Sequence, residues 1–312
     1  MDELTRETFD GVVIDYYAMG WILEDLLAHP SFAKCRSRPL LIYTAHHYEQ
    51  IVRPFVARSF QGNPLLKAVL PFDASKAVRL ERRILASADL VTSITDEDRD
   101  AFLKDVPDKP VLTLSPGYSG PLQAHRKIDA ERPRRVLLVG AFDWIAKRQN
   151  LREFVTACCD PFASAKIELQ IVGRADADFI AEIKGIYRAC EFVGPVPDVY
   201  PYIGNARIGL MPDIIGGGFK LKYLDYIFGG LPVATIRSQA LGLPLHINND
   251  IIAAENHADL VSRIVSNIDD HERLDGMRQR AFAACKDAFH WSDRGRQLYD
   301  AIDKIAKKKA TA

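Results

Sequence analysis

One stretch of the chain, "IIGGGFKLKYLDYIFGGLPVATI" from Ile214 to Ile236, constrains the fold more than any other. Three consecutive glycines open it, and glycine lets the backbone turn sharply and lets a ligand approach closely. A helix is predicted next, and Gly229 with Gly230 ends it. The apolar run "LPVATI" then predicts a buried parallel strand. A loop, a helix and a strand in this order are typical of an α/β protein.

Two lysines, Lys220 and Lys222, are predicted in the first turn of that helix. The start of a helix exposes unpaired N–H groups and the positive end of the dipole, so lysines there oppose the dipole unless an anion is bound. A phosphate group is therefore a simple reason for their position. Asp225 lies on the same helical face as Lys222, at about the offset of a ribose from a diphosphate. The alternative is a glycine-rich loop with solvated lysines.

This stretch resembles the donor-binding segment of the retaining group 1 glycosyltransferases, whose pattern is roughly G-x-[KR]-x-K-x-x-E-x-x-x-x-G-x-P-V-V. The residues that fall on the pattern are Lys220, Lys222, Asp225, Gly230, Pro232 and Val233. Asp225 stands where the family usually has Glu, and Gly217 stands where many members carry a second Glu. The resemblance implies that Lys222 stabilises a leaving diphosphate and that Asp225 binds ribose hydroxyls. It also implies that Gly217, Gly218 and Lys220 contact the donor.

The remaining sequence alternates predicted strands and helices, which indicates parallel α/β sheets. The predicted strands are "GVVIDYY", "PLLIYTAHH", "DLVTSI", "PVLTLS", "RVLLVGAF" and "IELQIVG". Helices are predicted over residues 18–28, 74–88, 150–158, 258–269 and 272–288. The polar stretch 116–135 has no apolar periodicity and is interpreted as a linker between domains at residues 1–125 and 126–312.

Polar side chains follow the second predicted strand, where His46 and His47 stand. Ligands of open α/β sheets bind at the carboxyl ends of strands, so a substrate contact is one interpretation. A structural histidine is another, and a metal site is not predicted because no third ligand has a suitable spacing. The resemblance to the family matches His46 to the histidine that faces the transferred sugar.

The second half resembles the carboxyl-terminal domain of the same family. "RVLLVGAF" resembles its first strand, with Gly140 at the end, and implies that Lys147 or Arg148 meets the donor diphosphate. Gly173 resembles a turn residue near the nucleotide. "CEFVGPVPDVYPYIGNARIGLMPD" resembles the segment beside the nucleotide base, which places the base near Val193. The alternatives are a solvated loop charge for the basic residues and a βα loop without a ligand near Val193.

The resemblance implies two facing Rossmann-like, doubly wound domains, the B-type glycosyltransferase fold. It also implies metal-independent transfer of a sugar from a nucleotide-sugar donor to a glycan or lipid-linked acceptor, with retention of configuration and no further cofactor. The family's first domain begins with two or three more βα units, whereas only about ten residues precede the first predicted strand here. We therefore expect an incomplete first domain, with terminal helices crossing back to it, slow turnover by this chain alone and a tendency to self-associate.

Two other classes of protein stay open at this stage. One is a degenerate, non-catalytic sugar-nucleotide binder or fragment. The other is a nucleotide-dependent dehydrogenase or epimerase, which needs G-x-G-x-x-G after its first strand, whereas "LLVGAFDWIAK" has only Gly140.

Composition restricts partners and compartment. The net charge is zero, so nothing favours nucleic acid. The five cysteines form no C-x-x-C pair, and the chain shows no signal peptide and no long apolar run, so a reducing cytoplasmic location is predicted. The lysine run from Lys307 to Lys309 is interpreted as a solvated terminus, with weak contact to an anionic inner membrane face as the alternative.

Overall fold

The computed structural model of the protein describes residues 9–33, 38–60, 62–215 and 218–310. The chain divides into two compact units. The first consists of Met1–Gly117, Gly217–Phe219 and His290–Ala312, and the second of Tyr118–Gly216 and Lys220–Phe289. The passage from the first unit to the second lies inside the stretch that was interpreted as a linker.

A parallel sheet with the strand order β1-β2-β3-β4 forms the centre of the first unit. Its strands are β1 (Gly11–Asp15), β2 (Leu40–Thr44), β3 (Leu90–Ser93) and β4 (Val111–Thr113). All of them fall within the predicted strand segments. Apolar side chains such as Leu41 and Val91 are fully buried, because helices cover a parallel sheet on its faces.

Helices of the first unit connect these strands. They are a 3-10 helix (Tyr17–Ile22), α1 (Leu23–Ala28), α2 (Pro30–Ala33), α3 (Glu49–Ser59), α4 (Pro64–Ser87) and α5 (Asp96–Asp105). The helix predicted over 74–88 is longer than expected and begins at Pro64. Asn63 caps it by accepting a hydrogen bond from the Leu65 amide at 2.9 Å, and proline suits a first helical position. The prediction missed the first half of α4 because it relied on an apolar stripe of core-facing residues, which begins only at Ala74.

Buried Glu81 on α4 fixes the start of α3. Its carboxylate accepts hydrogen bonds from the Glu49 and Gln50 amides, each at 3.2 Å, and from the Tyr43 hydroxyl at 3.1 Å. Burial raises the pKa of Glu81 to about 8. These bonds satisfy amides that a helix start leaves without partners. They also fix the short segment before α3, which carries His46.

A six-stranded parallel sheet with the order β10-β9-β8-β5-β6-β7 forms the centre of the second unit. Its strands are β5 (Arg135–Val139), β6 (Glu168–Val172), β7 (Glu191–Gly194), β8 (Ile208–Met211), β9 (Val233–Ile236) and β10 (Ile252–Ala254). The chain winds outward from β5 through β6 to β7, and then returns to β8 on the other side of β5. The winding reverses between β5 and β8, which is where ligands of doubly wound sheets bind.

Helices of the second unit enclose that sheet. They are α6 (Ile145–Ser164), α7 (Ala177–Ile186), α8 (Tyr200–Gly204), α9 (Lys222–Phe228), α10 (His257–Asn267) and α11 (His271–Cys285), with a 3-10 helix at Arg237–Gln239. The free cysteines Cys158, Cys190 and Cys285 are buried, and Cys159 is half-buried. Cys35 lies outside the described residues.

The last helix, α12 (Trp291–Ala310), belongs to the first unit. Arg294 donates a hydrogen bond to the Ser115 carbonyl at 2.6 Å, and Lys309 pairs with Asp89 at 2.7 Å. Across the described ranges, every helix is too short or too polar to span a bilayer.

Candidate functional site

Glycines allow close packing at the carboxyl edge of the second sheet. Gly140 follows β5 and donates to the Val172 carbonyl at 2.9 Å, while Gly173 follows β6 and donates to the Gly194 carbonyl at 2.8 Å. Gly173 has a φ of +136°, and a Cβ there would lie 1.8 Å from the Gly140 carbonyl oxygen. Only glycine fits that position. Glycine at position 173 therefore lets the segments after β5 and β6 pack closely against each other.

Three lysine amines, here called the lysine cluster, converge beside this edge: Lys147, Lys220 and Lys222. Lys222 begins α9, and its Nζ donates to the Val139 carbonyl at the end of β5, at 2.7 Å. Lys147 lies in the first turn of α6, and its side chain is within hydrogen-bonding reach of Lys222. A Cβ on Gly140 would lie 3.3 Å from the Lys222 Nζ, so the cluster lies at the carboxyl end of β5.

The lysine cluster concentrates positive charge in a poorly solvated place. Burial, reinforced by the charge of Lys147, lowers the pKa of Lys222 to about 7. Burial also lowers the pKa of Lys220 to about 8. Both shifts mean that the protein alone does not fully compensate the ammonium charge. A bound anion would supply that compensation.

Asp213 is a buried carboxylate whose charge acts on the lysine cluster. It follows β8, is 6% exposed, and its charge raises the pKa of Lys220 and of Lys222. Asn150 on α6 donates to Asp213 at 3.3 Å and accepts hydrogen bonds from the Ile214 and Ile215 amides, each at 3.0 Å. Asn150 thereby fixes the segment that leads to the glycines. Sequence reasoning missed Asp213 and Asn150, although a polar residue just after a strand was the signal that had found His46.

The prediction that Lys220 lies in the first turn of the helix is wrong. Helix α9 begins at Lys222, and the carbonyl of Lys220 accepts a hydrogen bond from the Tyr223 amide at 3.0 Å in a tight turn before it. The Lys220 Nζ donates to Gln239 Oε1 at 2.5 Å. Since α9 has only seven residues, the cluster owes its charge to side chains more than to a helix dipole.

The structure separates the two basic candidates after β5. Lys147 joins the lysine cluster, whereas Arg148 is held by protein groups. Arg148 donates to the Phe142 carbonyl at 2.7 Å, forms an ion pair with Asp176, and lies over the Phe179 ring at 5.2 Å. Asp176 also caps α7 by accepting a hydrogen bond from the Phe179 amide at 2.8 Å. Arg148 therefore has little freedom to turn toward a ligand.

Asp225 lies on α9 and has tyrosine partners. It accepts a hydrogen bond from the Tyr200 hydroxyl, which in turn bonds the Tyr118 hydroxyl. Burial raises the pKa of Asp225, while Tyr200 and the charge of Lys222 act in the opposite direction. Sequence reasoning missed both tyrosines, because their meeting depends on tertiary structure alone.

Three further residues, Val193, Gly217 and Gly218, are predicted to contact the donor. Val193 is partly exposed in β7 and is the extra residue of a bulge, since Ile171 pairs with Phe192 and Val172 pairs with Gly194. Gly217 lies outside the described residues. Gly218 is grouped with the first unit, has a φ of +68°, and comes close to the His47 ring.

His46 lies at the carboxyl edge of the first sheet. Its Nε2 is 2.9 Å from Oδ1 of Asp15, the last residue of β1, and its ring lies 5.0 Å from the Tyr16 ring. Tyr16 has a φ of 70°, an unusual value for a residue other than glycine, and such conformations concentrate at functional sites. The side chains of His46 and Asp15 are 45% and 68% exposed, so solvent and ligands can reach them.

Within the described residues, no group of His, Cys, Asp or Glu side chains could hold a metal ion. The acidic segment at Asp176 is a helix start. The chemistry that the lysine cluster offers at the second sheet is the binding of an anion by amines.

Comparisons with known proteins identify similar sequences and similar folds. Residues 133–270 match the family model described as glycosyl transferases group 1. No curated protein matches the chain. Among solved structures, sucrose-phosphate synthase from Thermosynechococcus elongatus has a TM-score of 0.71 at 16% identity, over 97% of this chain and 75% of that one.

Two more solved structures have the same fold. TarM, known from S. aureus, has a TM-score of 0.70 at 11% identity over 93% of this chain, which spans 54% of the length of TarM. Anabaena HepE in complex with UDP has a TM-score of 0.64 at 15% identity, over 94% of this chain and 78% of that one. The predicted fold class is confirmed. Residues 133–270 are thus similar to the group 1 glycosyl transferases, and the fold of the chain is the B-type fold of these solved structures.

Proposed function

We propose that this chain binds a nucleotide-diphosphate sugar and transfers the sugar to a glycan or lipid-linked acceptor, with retention of configuration. The observation that carries the proposal is the lysine cluster at the reversal point of the second sheet. Three amines lie there within electrostatic range of one buried carboxylate, at the carboxyl edge of the sheet. A diphosphate matches this arrangement in charge.

In this proposal, Lys147 and Lys222 stabilise the negative charge that develops on the leaving diphosphate. Lys220 adds to the positive electrostatic potential at the same place. Fixed charges in a poorly solvated site need little reorganisation during the reaction, which is why such electrostatic stabilisation is effective. The amides at Gly140 and Gly173 are already bonded to carbonyls, so these glycines contribute space for the diphosphate more than hydrogen bonds. No metal or other cofactor is included in the proposed reaction.

Asp225 is proposed to bind the ribose hydroxyls, with Tyr200 holding its carboxylate in place. The base is proposed to lie near Val193, at the bulge in β7. HepE was solved with UDP, and pneumococcal GtfA with UDP and GlcNAc. We therefore expect uridine to be the preferred base. In the first unit, His46 is proposed to orient the transferred sugar, and Asp15 to orient His46.

The testing experiment is titration calorimetry with UDP, GDP, ADP and dTDP. Binding of one nucleoside diphosphate, well above the affinity for its nucleoside monophosphate, is expected. The matched monophosphate isolates the contribution of the second phosphate, which the lysine cluster should recognise. A folded sample that binds none of the four would refute the proposal.

A non-catalytic binder of sugar nucleotides is the alternative that the sequence left open. It shares the donor site, so binding alone cannot separate the two functions. Release of nucleotide from a nucleotide sugar, followed with and without glycan acceptors, makes the distinction. Nucleotide binding without any release favours the binder. In this proposal, transfer requires both the lysine cluster and His46, whereas nucleotide binding requires only the lysine cluster.

A further inference from the structure

The first half of helix α4 is apolar and lies in solvent. Leu65, Val69 and Phe72 lie on one stripe of this helix and are 79%, 57% and 59% exposed. On the neighbouring helix α3, Ile51 and Phe55 lie one turn apart and are 61% and 39% exposed. We call these five residues the apolar ridge.

The apolar ridge is not needed to complete the core of the first unit. Along α4 the pattern changes at Ala74: from there onward Ala77, Ile84 and Leu85 turn inward and are at most 6% exposed. Before that point, residues 62–73 contain no buried position. Clustered apolar side chains of this kind are uncommon on the surface of a soluble protein and mark sites of interaction.

Positive charge surrounds the apolar ridge. Between residues 50 and 80 the sequence has five Arg or Lys and one Asp, although the whole chain has no net charge. Arg58, Lys67, Lys76 and Arg79 are exposed there. Lys76 lies 4.5 Å from the centre of the Phe72 ring, so cation and apolar surface are in direct contact. The one acid, Asp73, lies 4.0 Å from Arg53.

We propose that the apolar ridge docks on the surface of a membrane that contains anionic lipids. Apolar side chains on one face with lysine and arginine beside them are the properties by which helices lie in a lipid interface. Anionic headgroups attract such cations. A second copy of the chain is a poorer occupant, because a self-complementary contact would bring the same positive charges together.

The terminal lysine run is a weaker candidate for the same contact. Lys309 pairs with Asp89 and Lys307 pairs with Asp303, each at 2.7 Å. These partners already compensate part of that charge, and no apolar surface was found in the run itself. The proposal concerns the first unit alone, so its failure would leave the proposed donor site in the second unit unaffected.

Vesicle flotation with the full chain tests the proposal. The probes are vesicles of phosphatidylcholine alone and of phosphatidylcholine mixed with phosphatidylglycerol. The chain should float with the mixed vesicles and not with the neutral ones, and added salt should release it. The triple variant Leu65→Ser, Val69→Ser, Phe72→Ser should lower partitioning by roughly tenfold or more. Lys67→Glu with Lys76→Glu should do the same, and it carries the test if the triple variant does not fold.

Two controls match these changes. Leu122→Ser alters an apolar side chain that is 57% exposed in the second unit, and it should leave flotation unchanged. Lys307→Glu with Lys308→Glu alters the terminal lysine run, and it should have little effect. Circular dichroism and nucleotide affinity should match the parent chain in every variant.

Several results would overturn the proposal. One is a parent chain that does not float with anionic vesicles. Another is equal flotation of the parent and both ridge variants, or loss of flotation in the terminal lysine variant instead. A third is a dimer by light scattering that the ridge variants convert to a monomer while no form binds vesicles. That result would assign the ridge to a second copy of the chain.

Discussion

The carboxyl edges of the two sheets carry different kinds of polar group. At the second sheet, amines are partly buried, and burial lowers the pKa of Lys222 to about 7 and that of Lys220 to about 8. At the first sheet, His46 and Asp15 form a pair that is about half exposed. The amines at the second sheet carry charge that the protein does not fully compensate. At the first sheet, Asp15 orients the solvent-exposed ring of His46. Under the proposed function, we expect affinity for the donor to reside in the second unit and the first unit to contribute orientation.

The largest expected effect comes from crowding the packed carboxyl edge of the second sheet. Gly173→Ala places a Cβ 1.8 Å from a backbone oxygen at a φ that disfavours alanine. We expect the free energy of unfolding to fall by about 3 kcal/mol, from strain and overpacking together. Denaturant unfolding measures it. Gly185→Ala is the control, because it meets no atom within 4 Å and should change stability little. Equal stability of the two variants would mean that the edge adapts easily.

Removing charge from the lysine cluster tests where affinity resides. Lys222→Ala should weaken binding of a nucleoside diphosphate by roughly 1.5–3 kcal/mol, the range for hydrogen bonds to charged groups. Calorimetry measures the change. Lys184→Ala, on the exposed surface of α7, should bind like the parent chain. Unchanged affinity in Lys222→Ala, with the fold intact, would contradict the role of the cluster.

Removing His46 should have the opposite signature. His46→Ala should leave nucleotide affinity within error and slow sugar transfer by roughly tenfold to a hundredfold, as expected for a lost orienting contact. Asp15→Asn should slow transfer less, since it removes only the group that orients the ring. Turnover of donor with acceptor measures both. If His46→Ala weakens nucleotide binding as much as Lys222→Ala, the division between the two edges is wrong.

Affinity for a nucleotide sugar should depend on pH through the lysine cluster. Below about pH 7 the Lys222 amine is charged, and its charge is lost as pH rises through its lowered pKa. Binding of UDP-glucose should therefore weaken by about tenfold between about pH 7 and about pH 8.5. UDP-glucose is the ligand chosen for this measurement. The terminal phosphate of UDP titrates near pH 6 and would add a pH dependence of its own. Lys222→Ala should flatten the profile, and a rise in affinity with pH would contradict the assignment.

The smallest expected effect is that of a chelator. Because no carboxylate pair suited to a divalent ion flanks the lysine cluster among the described residues, EDTA should change neither nucleotide affinity nor transfer. Calorimetry and turnover with and without EDTA measure this. Loss on adding EDTA, followed by recovery with Mn²⁺, would show that metal ions and not amines carry the diphosphate charge.

Local patterns in the sequence determined much of the fold. Apolar runs bounded by glycine and proline predicted the strands, and the structure confirms them, because a buried parallel strand needs a continuous apolar run. Helix ends were less well predicted. The start of α4 at Pro64 was missed, since its first turns face solvent and leave no core stripe in the sequence. The start of α9 was placed too early, because a tight turn at Lys220 precedes it.

The candidate site shows the same division. A predicted helix start after three glycines was enough to select Lys222 from the sequence, and the resemblance to the family selected Gly140, Gly173 and either Lys147 or Arg148. Only the tertiary structure decided that Lys147 joins the cluster while Arg148 turns to Asp176. It also decided that Asp213 supplies the opposing charge and that Tyr200 holds Asp225. These choices depend on distances between residues far apart in the chain, and on burial, which no local pattern contains.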